Sequence, residues 1–222
     1  MAFFCRTFAE YAAFFNLDPG RILAGRRILD CGAGFASFAV EARAYGADVI
    51  AADPMYGRTT EALAALGAAE ITQVMRTART HADKFAFTTF RDFDDAENCR
   101  RTALTGFLCD YAGGFAAGRY VRAELPALPF ADDTFDLALN SHFLFLYATR
   151  LGETFLAQAL RELARVAHEV RVFPLVDLDG RDYAQEPEHL QQLAGSRLRA
   201  EILPVRYEFL KGAKSMLRLT RT

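Results

Sequence analysis

Lysine is nearly absent from this 222-residue chain: of its 26 basic residues only Lys84, Lys211 and Lys214 are lysines. The skew towards arginine reads as composition bias and assigns no function. A formal charge of −2 with an isoelectric point near 6.1 leaves no overall attraction for polyanions. Nucleic acid and anionic membrane are therefore not the expected partners. Cysteine is also sparse. The four, Cys5, Cys31, Cys99 and Cys109, form no C-x-x-C pair and no framework of a short secreted domain. Reduced thiols in a cytoplasmic protein are expected, with Cys31 a small apolar filler. No apolar run is long enough to span a bilayer, and the stretch Met1 to Arg6 lacks a basic lead, so neither a membrane span nor a leader is expected. His81, His168 and His189 show no recurring spacing with Cys, Asp or Glu, which excludes a readable metal motif.

What is present is a large apolar fraction, 52% of residues, enough for the core of one ordinary domain over residues 1–222. The apolar run Arg27-Ile28-Leu29 leads into Asp30-Cys31-Gly32-Ala33-Gly34, a glycine loop after a strand, preceded by an acid. Such a turn lets backbone approach a ligand and aims the next helix at it. Phe35, Phe38, Ala39, Ala42 and Tyr45 then recur at helical spacing, with Gly46 as a stop. Asp53 closes a second strand, Asp48 to Ala52, twenty-one residues after Gly32, where a carboxylate can accept from ribose hydroxyls. An acid at position 30 would repel a pyrophosphate and attract an ammonium or sulfonium.

Ile28 to Gly34 together with Val49-Ile50-Ala51-Ala52-Asp53-Pro54 resembles the first two motifs of class I S-adenosylmethionine-dependent methyltransferases. Leu128 to Leu139 is similar to that family's segment entering its fourth strand. Leu160 to Val166 with Glu169 to Phe173 is similar to its next helix and fifth strand. The resemblance covers about residues 26–175. It departs at Ala36, where the family often has a third glycine; the nicotinamide pattern would want one at Ser37.

The resemblance implies an α/β, Rossmann-like doubly wound sheet, mostly parallel, with a C-terminal antiparallel hairpin and a helical insertion after the second strand. It implies S-adenosylmethionine as cofactor, with Gly32 and Gly34 near the methionine portion, Asp30 favouring its ammonium and Asp53 holding the ribose. Pro54 and Met55 would flank the adenine, Glu124 would stand near its amino group, and Asn140 would turn from the fourth strand towards the methyl. His142 is the candidate base, with Tyr147 behind it. No Asn-Pro-Pro-Tyr-like sequence follows that strand, which disfavours base or amide methylation. The expected acceptor is a small, partly hydrophobic molecule. The alternatives are a non-catalytic S-adenosylmethionine-binding or sensor protein, a nicotinamide oxidoreductase, which Ser37 and Asp30 oppose, and a fold with a vestigial pocket.

Elsewhere, Phe4, Phe8, Tyr11, Ala12 and Phe15 predict an amphipathic helix over 3–16, a core stripe or a lid that brings Tyr11 or Arg6 to a ligand. Helices are expected over 59–78 and 95–112, the second ended by Gly113-Gly114, in an aromatic-rich cap of about 70–118. Its phenylalanines form either a small core of their own or the wall of a substrate pocket. Arg100-Arg101 reads as a solvated helix face, the alternative being contact with an anionic substrate. After a helix over Glu153–Ala167 come a strand from Val170 to Leu175, a helix near 187–198, and strands about 199–209 and 213–221 joined through Leu210-Lys211-Gly212. Nothing in the sequence sets the oligomeric state.

Overall fold

Alternate residues of the first strand face opposite ways, and both faces are covered. In β1 (Arg27–Cys31), Ile28 enters one apolar core and Leu29 and Cys31 the other. The computed structural model describes residues 5–18, 20 and 23–222. Around β1 are built β2 (Asp48–Ala52), β3 (Tyr120–Val121), β4 (Phe135–Ser141), β5 (Ala167–Phe173), β6 (Leu198–Pro204) and β7 (Ser215–Arg221). The sheet order is β3-β2-β1-β4-β5-β7-β6; the first five strands are parallel and β7 lies antiparallel between β5 and β6. The expected doubly wound sheet with its antiparallel hairpin is present. The order reverses between β1 and β4, so the ligand crevice of this architecture opens at their carboxyl ends.

The first helix, α1 (Phe8–Phe14), starts later than its aromatic spacing suggests. Thr7 caps it and Glu10 closes a capping box by accepting from the Thr7 amide at 3.1 Å. Positions 3 and 4 of the expected helix lie outside the described residues. The helix expected from Phe35 is the short α2 (Phe38–Ala42), continued by a 3₁₀ turn to Tyr45 and stopped at Gly46 with φ of +81°. Phe35 precedes it in the loop and is fully buried.

The connection from β2 to β3 contains α3 (Thr60–Thr80), capped by Thr59, and α4 (Phe93–Ala116), capped by Asp92. The pair pack closely; a Cβ built at Gly67 of α3 would sit 2.6 Å from Leu104 of α4. Gly113-Gly114 does not end α4, which runs on to Ala116. A Cβ at Gly114 would lie 2.3 Å from the Tyr120 ring, whereas one at Gly113 would meet nothing within 4 Å. Gly114 is thus a packing residue, not a stop. Gly114→Ala is expected to destabilise the fold by about 1–3 kcal/mol through overpacking, and Gly113→Ala to stabilise it by about 1 kcal/mol through helix propensity. Urea denaturation of the two variants checks this; a shift of the same sign in both would refute it.

Downstream, α5 (Ala148–Leu151) leads to α6 (Glu153–Val166), which buries Leu156, Leu160 and Leu163 and passes directly into β5 at Ala167. The strand therefore starts three residues before Val170, since Ala167 is already extended. Next comes α7 (Pro187–Ala194), shorter than expected because Gly195 ends it. Likewise β6 stops at Pro204. Residues 205–214 leave the sheet towards the inserted helices, where the Ala86 amide donates to the Phe209 carbonyl at 2.9 Å and Phe85 pairs with Leu210.

Candidate functional site

The carboxyl ends of β1, β2, β3 and β4 converge on a cavity of about 270 Å³. Its walls are Gly32, Ala33 and Gly34 after β1, Asp53 and Pro54 after β2, Glu124 after β3, and His142 after β4. Past Pro54 and Glu124 it continues into an outer depression of about 500 Å³ that shares both residues.

The glycine loop is fixed from below. Gly32 (φ +73°) and Ala33 donate to the Ala52 carbonyl at 2.8 and 3.2 Å, and Gly34 (φ +57°) donates to Asp53 Oδ2 at 3.0 Å. Tyr56 hydroxyl donates to the Gly34 carbonyl at 2.8 Å. The left-handed φ at Gly32 excludes a side chain, and a Cβ there would approach Asn140 Nδ2 to 3.4 Å. Asn140 itself is wholly buried and lies behind the loop. It donates to the Cys31 carbonyl at 2.8 Å and accepts from the Leu144 amide at 3.2 Å, tying β1 to the turn after β4.

Two acids lie at this cavity, Asp53 in its lining and Asp30 behind the loop. Asp53 Oδ1 accepts from the Met55 amide at 3.0 Å, and burial pushes its carboxyl up to about 6 despite the two amide donors. Asp30 is completely buried beneath the loop, and the Tyr11 hydroxyl donates to its carboxylate, 3.0 and 3.1 Å from the two oxygens. Burial raises its carboxyl to about 8; the Tyr11 bond opposes that and the nearby Asp53 adds to it. A buried acid this reluctant to ionise is stabilised in its charged form by a hydrogen-bond donor, as by Tyr11, and further by any cation close to it. Cys31 is buried in the same loop, its thiol pushed up by burial and then by both acids, and it serves as filler.

This shift has a measurable consequence. Unfolded Asp30 ionises near pH 4, whereas the folded group keeps its proton to about 8, so its contribution to stability is full at low pH and is lost as pH rises through 8. Between about 7 and 8, above the range in which Asp53 and the unfolded His142 titrate, the slope belongs to Asp30. Asp30→Asn is expected to flatten that decline in calorimetric melting temperature; an unchanged decline would exclude Asp30 as its source.

Helix α1 contributes to the core, as its aromatic stripe predicts, and its Tyr11 together with Arg6 of its lead also reaches the cavity. Tyr11 stacks on Phe38 at 4.5 Å, and Tyr11 and Arg6 line the cavity. The Ser37 amide, at the start of α2, donates to the Arg6 carbonyl at 3.0 Å. Beneath this lies a buried ion cluster. Glu10 Oε1 accepts from Arg6 Nη1 at 2.9 Å, Arg100 Nη1 at 2.7 Å and Tyr207 hydroxyl at 3.0 Å. Burial alone would raise the Glu10 carboxyl, but Arg100, then Arg6 and the Thr7 amide, outweigh it and bring it to about 2. Sequence reasoning missed Glu10 and Tyr207, whose partners are 197 positions apart.

His142 sits at the rim with φ of +55°, a strained value for histidine that often marks a functional position. Its amide donates to the Phe173 carbonyl at 2.6 Å and its Nδ1 is 2.7 Å from the Ser141 hydroxyl. Burial, then Arg6 and Arg100, hold its imidazole well below the usual range, so it is neutral at neutral pH. His142 and Arg6 also line a second cavity of about 650 Å³, formed by α3, the segment 205–214 and the turn after β4. Of these two cavities, Tyr147 lines the second.

Of the residues singled out from sequence, Gly32, Gly34, Asp53, Pro54, Glu124 and His142 therefore share one cavity. Asp30 and Asn140 stand directly behind its wall. Met55 does not reach it, because the side chain is buried in the core on one face of the sheet and only its amide serves the site. Of the aromatics between 85 and 115, Phe85 lines the second cavity, while Phe90, Phe107 and Tyr111 are core. Arg101 is solvated and paired with Glu97, as expected of a helix face, whereas Arg100 departs from that expectation, being buried against Glu10. Among the described residues no cluster of three or more His, Cys, Asp or Glu could hold a metal ion, and no helix is long and apolar enough to cross a membrane.

No family model matches the chain. An uncharacterised protein of Methanocaldococcus jannaschii is 28% identical over 217 residues, which is 97% of this chain and 94% of that one. Among solved structures, a protein of Pyrococcus horikoshii is similar with a TM-score of 0.50 at 11% identity, covering 96% of this chain and 90% of its own. A proposed S-adenosyl-L-methionine-dependent methyltransferase of Methanococcus maripaludis is similar with a TM-score of 0.50 at 12% identity, covering 97% and 87%. These likenesses establish the fold as one that such proteins adopt.

Proposed function

We propose that the chain binds S-adenosylmethionine at the β1–β4 crevice and transfers its methyl group to a small acceptor. The observation that carries this reading is the pair of buried acids at a glycine-lined cavity, Asp53 in its lining and Asp30 directly behind it. A cofactor with an ammonium and a ribose suits them, whereas a pyrophosphate does not. The start of α2 points the same way, since its Ser37 amide is already occupied by the Arg6 carbonyl and is not offered to a phosphate. The Methanococcus protein, described as dependent on S-adenosyl-L-methionine, is consistent with this choice.

The residues fit the group. Gly32 and Gly34 admit its methionine portion, Asp30 balances the ammonium through the loop, Asp53 accepts from the ribose, and Pro54 and Glu124 border the depression left for adenine. When bound, S-adenosylmethionine supplies the electrophilic methyl and the leaving group. The chain's own task is alignment and exclusion of water, which the covering α1 with Tyr11 and Arg6 performs. His142, neutral and at the junction of the two cavities, is placed to hydrogen-bond and orient an incoming acceptor, while burial, Arg6 and Arg100 oppose its taking a proton. A second cavity opening on that junction favours an enzyme over a sensor, which needs no acceptor space.

Calorimetric titration with S-adenosylmethionine and, separately, with NADH tests the reading. Saturable binding of the first and none of the second is expected; tighter binding of NADH would refute it.

A further inference from the structure

The second cavity has a chemistry of its own. Its apolar wall is made by Val74 and Met75 of α3, by Phe85, by Leu146, and by Phe209 and Leu210. Its charged lining among the described residues is unbalanced: Arg6, Arg100, Arg150 and Lys84 against the single acid Glu70.

Arg100 is the informative member. It is 4% exposed, yet Nη2 is buried without a hydrogen-bond partner. A buried guanidinium donor left unmade costs stability, and such a group in a native fold calls for an explanation. Glu10 cannot satisfy it, because Oε1 already accepts from Arg100 Nη1, Arg6 Nη1 and Tyr207 hydroxyl. Its other oxygen faces the Thr7 amide and the Cys99 thiol at 3.1 and 3.4 Å. The Phe90 ring, 5.2 Å from the Arg100 guanidinium carbon, further fixes the group in place. Nη2 itself is closed to solvent, while the Arg100 side chain lines a mostly apolar chamber that meets the first cavity at His142 and Arg6, so a ligand reaches that donor by turning the guanidinium.

We propose that this chamber binds a small organic acid, an apolar body bearing one carboxylate, and that Arg100 receives the carboxylate. As the identity of the methyl acceptor, this rests on the methyltransferase reading; as a statement of what the chamber binds, it does not. The mostly apolar wall suits an organic acid with an apolar body better than a free phosphate. The acid's negative charge adds to that of Glu10 opposite Arg100, and Arg100 becomes the residue that sets acceptor specificity.

The test is a binding series on the full chain: 3-phenylpropanoate, the uncharged 3-phenylpropanol and the cationic 3-phenylpropylamine, followed by calorimetry with and without S-adenosylmethionine. The carboxylate is expected to bind about tenfold or more tighter than the alcohol, the amine not at all. Arg100→Lys, which keeps a charge for Glu10 but removes the second donor, is expected to lose about tenfold of that affinity while still binding S-adenosylmethionine. Should this variant fail to fold, Val74→Asp, which sets a negative charge in the chamber wall, is expected to abolish carboxylate binding and leave S-adenosylmethionine binding in place. Equal binding of acid and alcohol, preference for the amine, or an Arg100→Lys variant with wild-type carboxylate affinity would overturn the proposal. Acid binding without S-adenosylmethionine binding would instead sink the methyltransferase reading and leave the acid chamber standing.

Discussion

Replacing Asp53 with alanine is expected to weaken S-adenosylmethionine binding by on the order of 100-fold or more. A carboxylate at the end of β2 offers charged acceptors to two ribose hydroxyls, each such bond contributing about 1.5–3 kcal/mol. The same change strands the Gly34 and Met55 amides that Asp53 now satisfies at 3.0 Å, so the loop that shapes the cavity also loosens. The burial that raises the Asp53 carboxyl to about 6 adds a pH signature. Binding requires the ionised form, so affinity should hold above 6 and fall as the medium is acidified below it. Calorimetric titration of Asp53→Ala, and of the wild type across that range, checks both points. A variant that binds normally would remove Asp53 from the site.

The second large effect concerns stability. Glu10→Gln is expected to cost about 3–5 kcal/mol, because it leaves the buried Arg6 and Arg100 without their shared counter-charge. For a chain of this size that lowers the calorimetric melting temperature by roughly 10 °C. The carboxyl is held near 2 in the folded protein against about 4.5 unfolded. Its stabilisation is therefore complete above 4.5 and is lost as pH falls through 2. By contrast Asp94→Asn, which breaks an exposed pair with Arg79, is expected to change stability by less than about 1 kcal/mol. Equal effects of the two substitutions would show that the Glu10 cluster carries no special weight.

The parts of the site legible in the sequence are those set by local backbone rules. Gly32 and Gly34 need left-handed φ, and Asp30 and Asp53 close adjacent parallel strands, so spacing along the chain maps directly onto the crevice. The aromatic stripe of α1 was legible as a helix face, but not that Tyr11 would cap Asp30, since the two stand nineteen positions apart with no pattern relating them. The Glu10 cluster was invisible for the same reason: Arg6, Arg100 and Tyr207 come from α1's lead, α4 and the segment after β6, and only folding unites them. Gly113-Gly114 shows a rule that misleads. A glycine pair ordinarily stops a helix, yet here one glycine makes room for the Tyr120 ring and α4 continues. Met55 follows Pro54 in the order expected for an adenine contact, but its side chain turns into the core, and sequence order alone does not encode that direction.

The most direct test of the central assignment is a crystal structure of the protein with S-adenosylhomocysteine, which keeps the ammonium, ribose and adenine but has no methyl to lose. The expected density places the ribose hydroxyls on Asp53, the amino group beside the loop over Asp30, and the adenine between Pro54 and Glu124. Ligand bound elsewhere, or a crevice that takes up none at saturating concentration, would contradict it.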